Sequence, residues 1–201
     1  IFKYLHFHKK GYQMTKKLIE IERKRQLTGN IEELIGRLQN IGFKLKSNLR
    51  EIDTYYSRPD VDFMQTVECL RIRQRDSFAE VTYKPATTTA THTENNVIIK
   101  PETNLPIQPK DAATAKQLLA NLGMVQLVEV NKYRRSFQSS DFPQATVAID
   151  EIKDTGTFVE VEVLSDNETS ALMMISNIET KLDLDSMEIV TRPYRDICMG
   201  Y

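Results

Sequence analysis

Cysteine is scarce in this chain of 201 residues, occurring only at Cys69 and Cys198. Two thiols so far apart have no metal-site spacing and build no disulfide framework, which points to a reducing compartment. A dominant charge is missing too. Lys plus Arg number 27 and Asp plus Glu 28, a formal net charge of −1. No global field draws the protein to nucleic acid or to an anionic membrane, so any anion-binding surface must be built locally. Long apolar runs are also lacking, and "IFKYLHF" at the start is too short for a signal core. These absences predict a cytoplasmic protein with neither nucleic-acid nor membrane partners.

What is present is alternation. In "LIEIERKRQL" (18–27) one parity carries Glu20, Glu22, Lys24 and Gln26, and the other Ile19, Ile21, Arg23 and Arg25. A half-buried strand usually turns apolar residues to the core and charges to water. The same test along the chain gives further charged parities. "TVECLRIRQRD" (66–76) aligns Arg71, Arg73 and Arg75; "FAEVTYK" (78–84) aligns Glu80, Thr82 and Lys84. "MVQLVEVNKYRRSF" (124–137) aligns Lys132 and Arg134, "ATVAID" (145–150) ends on Asp150, and "FVEVEV" (158–163) aligns Glu160 and Glu162. "ENNVIIK" (94–100) is a weaker strand that can align Glu94 and Asn96. Turn residues at "RDS", "DFPQ" and "KDTG" suit hairpins between them.

Three helices are expected. "NIEELIGRLQNIGF" (30–43) has Ile31, Leu34, Ile35, Leu38 and Ile41 at helical spacing and Gly42 near its end. "DAATAKQLLANLG" (111–123) starts at Asp111 as N-cap and stops at Gly123; the third covers 168–184. Each half thus runs from a charged strand through a helix ending "IGF" or "LGM" into more strands, a weak internal duplication. The stretches 84–96 and 100–111 read as loops. Residues 1–13 read as a disordered extension and 14–201 as a single domain.

One charged strand alone is ordinarily a solvated face. Six in one chain, sorted into acid-rich and base-rich strands, point to a lumen. The predicted fold is α+β: a closed antiparallel eight-stranded β-barrel with a polar tunnel and helices packed outside. So many enclosed charges require partners or ions. Carboxylates suit a hard divalent cation, and Arg and Lys suit phosphate oxygens.

The ordered segments "EIERK", "DTYYSRPD" (53–60), "CLRIRQR" (69–75), "TYK" (82–84), "VNKYRRSF" (130–137), "AIDEIKDTGTFVEVEV" (148–163) and "TRPYRDI" (191–197) resemble the CYTH superfamily, the triphosphate tunnel metalloenzymes. The resemblance implies a metal- and triphosphate-binding tunnel. Glu20, Glu22, Asp150, Glu160 and Glu162 would bind Mg²⁺ or Mn²⁺. Arg71, Arg73, Lys84, Lys132 and Arg134 would clamp the triphosphate. Lys24, similar to the signature lysine, would contact phosphate or help activate the nucleophile. On the fifth strand Glu94 would fill the acid position, with His92 standing where the family pattern has arginine. The implied substrate is ATP, tripolyphosphate or thiamine triphosphate. Segments "DTYYSRPD" and "LRIR" look most like the class IV adenylyl cyclases, which form cyclic AMP and pyrophosphate. A triphosphatase, a non-catalytic polyphosphate-binding module and a homodimer stay open.

Overall fold

The computed structural model describes residues 19–86 and 102–201. Strand β1 (Ile19–Gln26) leads to α1 (Ile31–Asn40), then β2 (Lys44–Ser57), β3 (Cys69–Arg75) and β4 (Phe78–Lys84). After β5 (Thr103–Ile107) and a 3₁₀ turn come α2 (Ala112–Asn121), β6 (Val125–Gln138), β7 (Ala145–Ile152), β8 (Gly156–Ser165), α3 (Glu168–Lys181) and α4 (Tyr194–Cys198). All eight strands join one antiparallel sheet in the order β1-β8-β7-β6-β2-β3-β4-β5. No helix among the described residues is long and apolar enough to cross a membrane.

Local chemistry explains the helix ends. The Asn30 side chain accepts from the Glu32 N–H at 2.8 Å, and Asn167 accepts from Ser170 at 2.9 Å. Asp111 stands at the start of α2 but makes no side-chain cap. Gly42 and Gly123 end the first two helices at φ of 86° and 80°, a conformation that other residues rarely adopt.

The convex face of the sheet holds most of the core. Ile21, Phe137, Val147, Ile149, Val159, Val161 and Val163 pack against Leu34 and Leu38 of α1 and Ile175 and Ile178 of α3. Tyr56, Ile72 and Ala79 pack under Ala112 and Leu119 of α2. Arg23 and Arg25 also face outward, and fully buried Glu179 of α3 receives both. The Arg25 Nε–Oε1 and Nη2–Oε2 distances are 2.8 and 3.0 Å, and Arg23 Nη1 lies 2.8 Å from Oε2.

The halves repeat. Exchanging β1-α1-β2-β3-β4 with β5-α2-β6-β7-β8 maps the strand order onto itself, with β2 and β6 central. The spacing that carries Gly42 to Gly123 also carries Glu51 to Lys132, and those two are direct partners across the central ladder. One step on, Asp53 opposite Arg73 corresponds to Arg134 opposite Asp150. The repeat keeps the ion pair and inverts its sign.

Four expectations are corrected. Strand β2 was not among the strands expected from alternation. Its first half is exposed on both faces and its second half largely buried on both, so no single period is visible. The expected loop at 100–111 contains β5, the 3₁₀ turn and Asp111. Helix α4 is a single short turn with no periodic signal. Finally, no ladder joins β1 to β5, so the sheet of the described residues is open where a closed barrel was expected. β5 is only five residues long and contains Pro106, which has no N–H to donate. The expected strand at 94–100 lies outside the described residues, as do Glu94, His92 and residues 1–13.

Candidate functional site

Directly paired residues share a face, so the ladders define what the concave face carries. At one end it is apolar. Tyr55, Val130, Ile152 and Phe158 meet Val190 and Tyr194, with Cys69, Ile197 and Cys198 against them. Helix α4 thus makes a floor across the strands. One step above it stand Asp53, Arg71, Lys132, Asp150, Glu160 and Lys24; further along come Glu51, Arg73, Arg134, Glu162 and Glu22.

Cations dominate this face of β3 and β6, with Lys84 on β4, and each meets a carboxylate. Arg73 grips Asp53 with two bonds of 2.7 Å and lies 3.0 Å from Glu51. Arg75 donates to Glu51 at 2.6 Å, and Lys132 reaches Glu51 at 2.9 Å and Asp150 at 3.5 Å. Arg134 bonds Asp150 through Nε at 2.6 Å and through Nη2, which also meets Glu160. Lys84 pairs with Glu102. Arg71 is held more loosely, 3.8 Å from Asp53. Burial would raise the Glu51 and Asp53 carboxyls, but Arg73 and its neighbours outweigh it and hold both below the usual carboxylate range.

Carboxylates dominate β1 and β8. Glu22 and Glu162 are opposite one another, and with Glu20 they bring three carboxylate oxygens within 4.8 Å. The Glu22 carboxyl is pushed up to about 7, first by the Glu160 carboxylate and then by enclosure and Glu20. Glu162 is pushed up to about 8 by burial and by Glu20 and Glu22. Glu20 and Glu22 still reach water, so mutual repulsion accounts for the Glu22 shift better than desolvation does. Three oxygens so close, with no cation paired to them among the described residues, are the donor set a hard divalent ion takes. The residues fit such an ion.

Of the residues expected to bind metal, then, Glu20, Glu22 and Glu162 come together, while Asp150 and Glu160 turn to Arg134. The expected clamp, Arg71, Arg73, Lys84, Lys132 and Arg134, lines the same concave face, already engaged with carboxylates. Lys24 sits at the floor, its ammonium lowered from the ordinary range by burial and by Lys132. Sequence reasoning missed Glu51, Asp53, Glu102 and Tyr194. The first two share a parity in "REIDTYY", which was legible once β2 was read as a strand. For Glu102 and Tyr194 there was no periodic signal.

Fold and side-chain placement define a class: a β-sheet protein whose convex face holds the core and whose concave face is ionic. Residues 18–194 match the model of the CYTH domain, and the chain belongs to that family. A protein of Methanocaldococcus jannaschii named "Putative adenylate cyclase MJ0240" is 26% identical over 183 residues, 90% of this chain and 98% of that one. Among solved structures, the PH1819 protein of Pyrococcus horikoshii superposes with a TM-score of 0.71 at 24% identity, covering 90% of this chain and 98% of that one. A Hippeastrum protein described as a "Putative adenylyl cyclase" with "a dominant triphophatase activity" gives 0.68 at 13% identity, covering 92% and 96%. At these identities the two structural likenesses show the fold.

Proposed function

We propose that the chain is a divalent-metal-dependent enzyme acting on a triphosphate on its ionic concave face, and that its reaction is that of a class IV adenylyl cyclase. The observation that carries the reading is the ionic concave face. A carboxylate cluster on β1 and β8 shares it with arginines and lysines on β3, β4 and β6 that interleave with the carboxylates of β2 and β7. Glu20, Glu22 and Glu162 would hold Mg²⁺ or Mn²⁺, which supplies charge neutralisation for phosphoryl transfer. Arg71, Arg73, Lys84, Lys132 and Arg134 bind the phosphate oxygens by exchanging carboxylate partners for phosphate ones. Glu51, Asp53, Asp150 and Glu160 keep those side chains ordered until the ligand arrives. Lys24 contacts phosphate from the floor. Closure of the sheet into a tunnel, with residues 14–201 as one domain, belongs to the same reading.

The name of the M. jannaschii relative supports cyclisation, in which the ribose 3′ oxygen attacks the α-phosphorus and pyrophosphate leaves. The same ionic face serves hydrolysis at a terminal phosphorus equally well, because both reactions need positioning and charge neutralisation above all. A product screen separates them. The protein is incubated with ATP, tripolyphosphate or thiamine triphosphate and either metal. Cyclic AMP with pyrophosphate from ATP is the expected result; orthophosphate would assign a triphosphatase. Tight triphosphate binding with no product would leave a binding module.

A further inference from the structure

We infer that Tyr194 is a positioning residue that acts through Lys24, holding its ammonium with neutral groups so that its charge is left for the ligand. The inference rests on the triphosphate reading above. Nearly every other cation on the concave face spends its charge on a carboxylate. Lys24 differs. Among the described residues, its Nζ contacts are the Arg192 carbonyl oxygen, at 2.7 Å, and the Tyr194 ring, at 4.2 Å from the centroid. Neither group carries a formal charge, and both belong to one three-residue stretch.

The fold delivers that stretch deliberately. Past α3 the chain runs back beside β1: Gln26 N–H donates to Glu188 at 3.0 Å and Val190 N–H to the Lys24 carbonyl at 2.8 Å. Arg25 and Ile189 form an isolated antiparallel bridge between these bonds. The backbone of Lys24 and the segment that holds its side chain are therefore fixed to each other. Helix α4 then crosses onto the floor, where Arg195 anchors it through a 2.7 Å bond to the Glu68 carbonyl. Phe158 packs edge-on to the Tyr194 ring at 5.2 Å and 62°, which fixes the plane of the ring.

Lys132 reaches the same ring at 5.0 Å. One aromatic ring thus brings together ammonium groups from β1 and β6, strands separated in the sheet by β8 and β7. Two ammonium groups held close repel one another, and the ring quadrupole offsets part of that without neutralising either. Lys132 is compensated by Glu51 and Asp150, whereas Lys24 is not paired to any described carboxylate. A phosphate arriving at the floor meets an ammonium that no described carboxylate bonds directly, with Glu160 and Glu22 acting on it only through space. The Tyr194 hydroxyl lies beside Asp150, and it is the ring that meets Lys24.

The test is a double-mutant cycle read by calorimetric titration of tripolyphosphate, with thermal melts as the folding control. Tyr194→Leu keeps bulk but deletes the π face, and should weaken tripolyphosphate about tenfold. Tyr194→Phe restores the affinity. In a Lys24→Ala background, Tyr194→Leu should change affinity by less than about twofold, because the group through which it acts is gone. An equal loss in both backgrounds, or a loss in Tyr194→Phe matching that of Tyr194→Leu, would overturn the inference. A ligand-free reading keeps it separable from the triphosphate proposal. In ¹³C-lysine-labelled protein, the ring should shift the Lys24 ε signal upfield in wild type and Tyr194→Phe, with assignment by Lys24→Arg. Failure of wild type to bind tripolyphosphate would sink the triphosphate reading and with it the role assigned to Tyr194. A Lys24 signal at the ordinary lysine position would refute the platform itself.

Discussion

Proton release on cation binding tests the carboxylate cluster directly. Glu22 and Glu162 sit near pH 7 and 8 instead of 4.5, so at neutral pH the unbound site is partly protonated. A divalent cation takes only the deprotonated form, and its binding must expel those protons. Treated as two sites at about 7 and about 8, they release roughly 1.7 protons per ion at pH 6.5 and roughly 0.3 at pH 8.5. Mn²⁺ titrated calorimetrically in two buffers of different ionisation enthalpy gives that count without any substrate. Affinity should climb steeply from pH 6 and level off above pH 8. Glu162→Gln should cut the release at pH 6.5 to less than about one proton and weaken binding, because the amide keeps the shape but loses the charge a hard cation needs. Stability follows the same linkage. Both carboxyls are raised, so the folded chain keeps protons that the unfolded chain loses above its ordinary value of 4.5. Their contribution is whole below about pH 4.5 and is lost as pH rises through about 7 and 8. Added cation should reverse that loss. Observed heats that do not depend on the buffer at pH 6.5 would refute the reasoning.

Arg73→Ala should weaken ATP and tripolyphosphate tenfold or more while AMP loses less, since a monophosphate engages only part of the cation ladder. Adding Asp53→Asn to it should recover stability but not affinity, because the buried carboxylate is then no longer uncompensated; equal losses for all three ligands would make Arg73 structural. Glu179→Gln should lower the melting temperature without changing tripolyphosphate affinity, because Glu179 faces the convex core. It leaves Arg25, whose side chain is 7% exposed, without its counter-charge. That costs about 3 kcal/mol, or roughly 6–12 °C for a chain of this size. Removing residues 1–13 should leave both melting temperature and triphosphate affinity unchanged.

The sequence by itself determined which side chains share a face. Period-two alternation is a local property of extended backbone, so Glu22 with Lys24, Arg71 with Arg73, and Glu160 with Glu162 were legible as sets before any partner was known. The order of the segments was enough to show the family resemblance, and the two glycine-terminated helices hinted at a repeat. The tertiary structure decided who meets whom. Arg23 and Arg25 look as ready for phosphate as Arg71 and Arg73, yet they point to Glu179, because α3 covers that side of β1. Asp150 and Glu160 carry the same chemistry as Glu22 and Glu162, but cross-strand register puts Arg134 between them. Among the described residues, Glu20, Glu22 and Glu162 are therefore left close together with no cation paired to them. Tyr194 was beyond reach for a different reason. Its place at Lys24 depends on a segment that lies some 170 residues away along the chain and returns beside β1. Parity is written into neighbouring residues; register and long-range return are set by packing, and packing is decided only when the whole sheet is assembled.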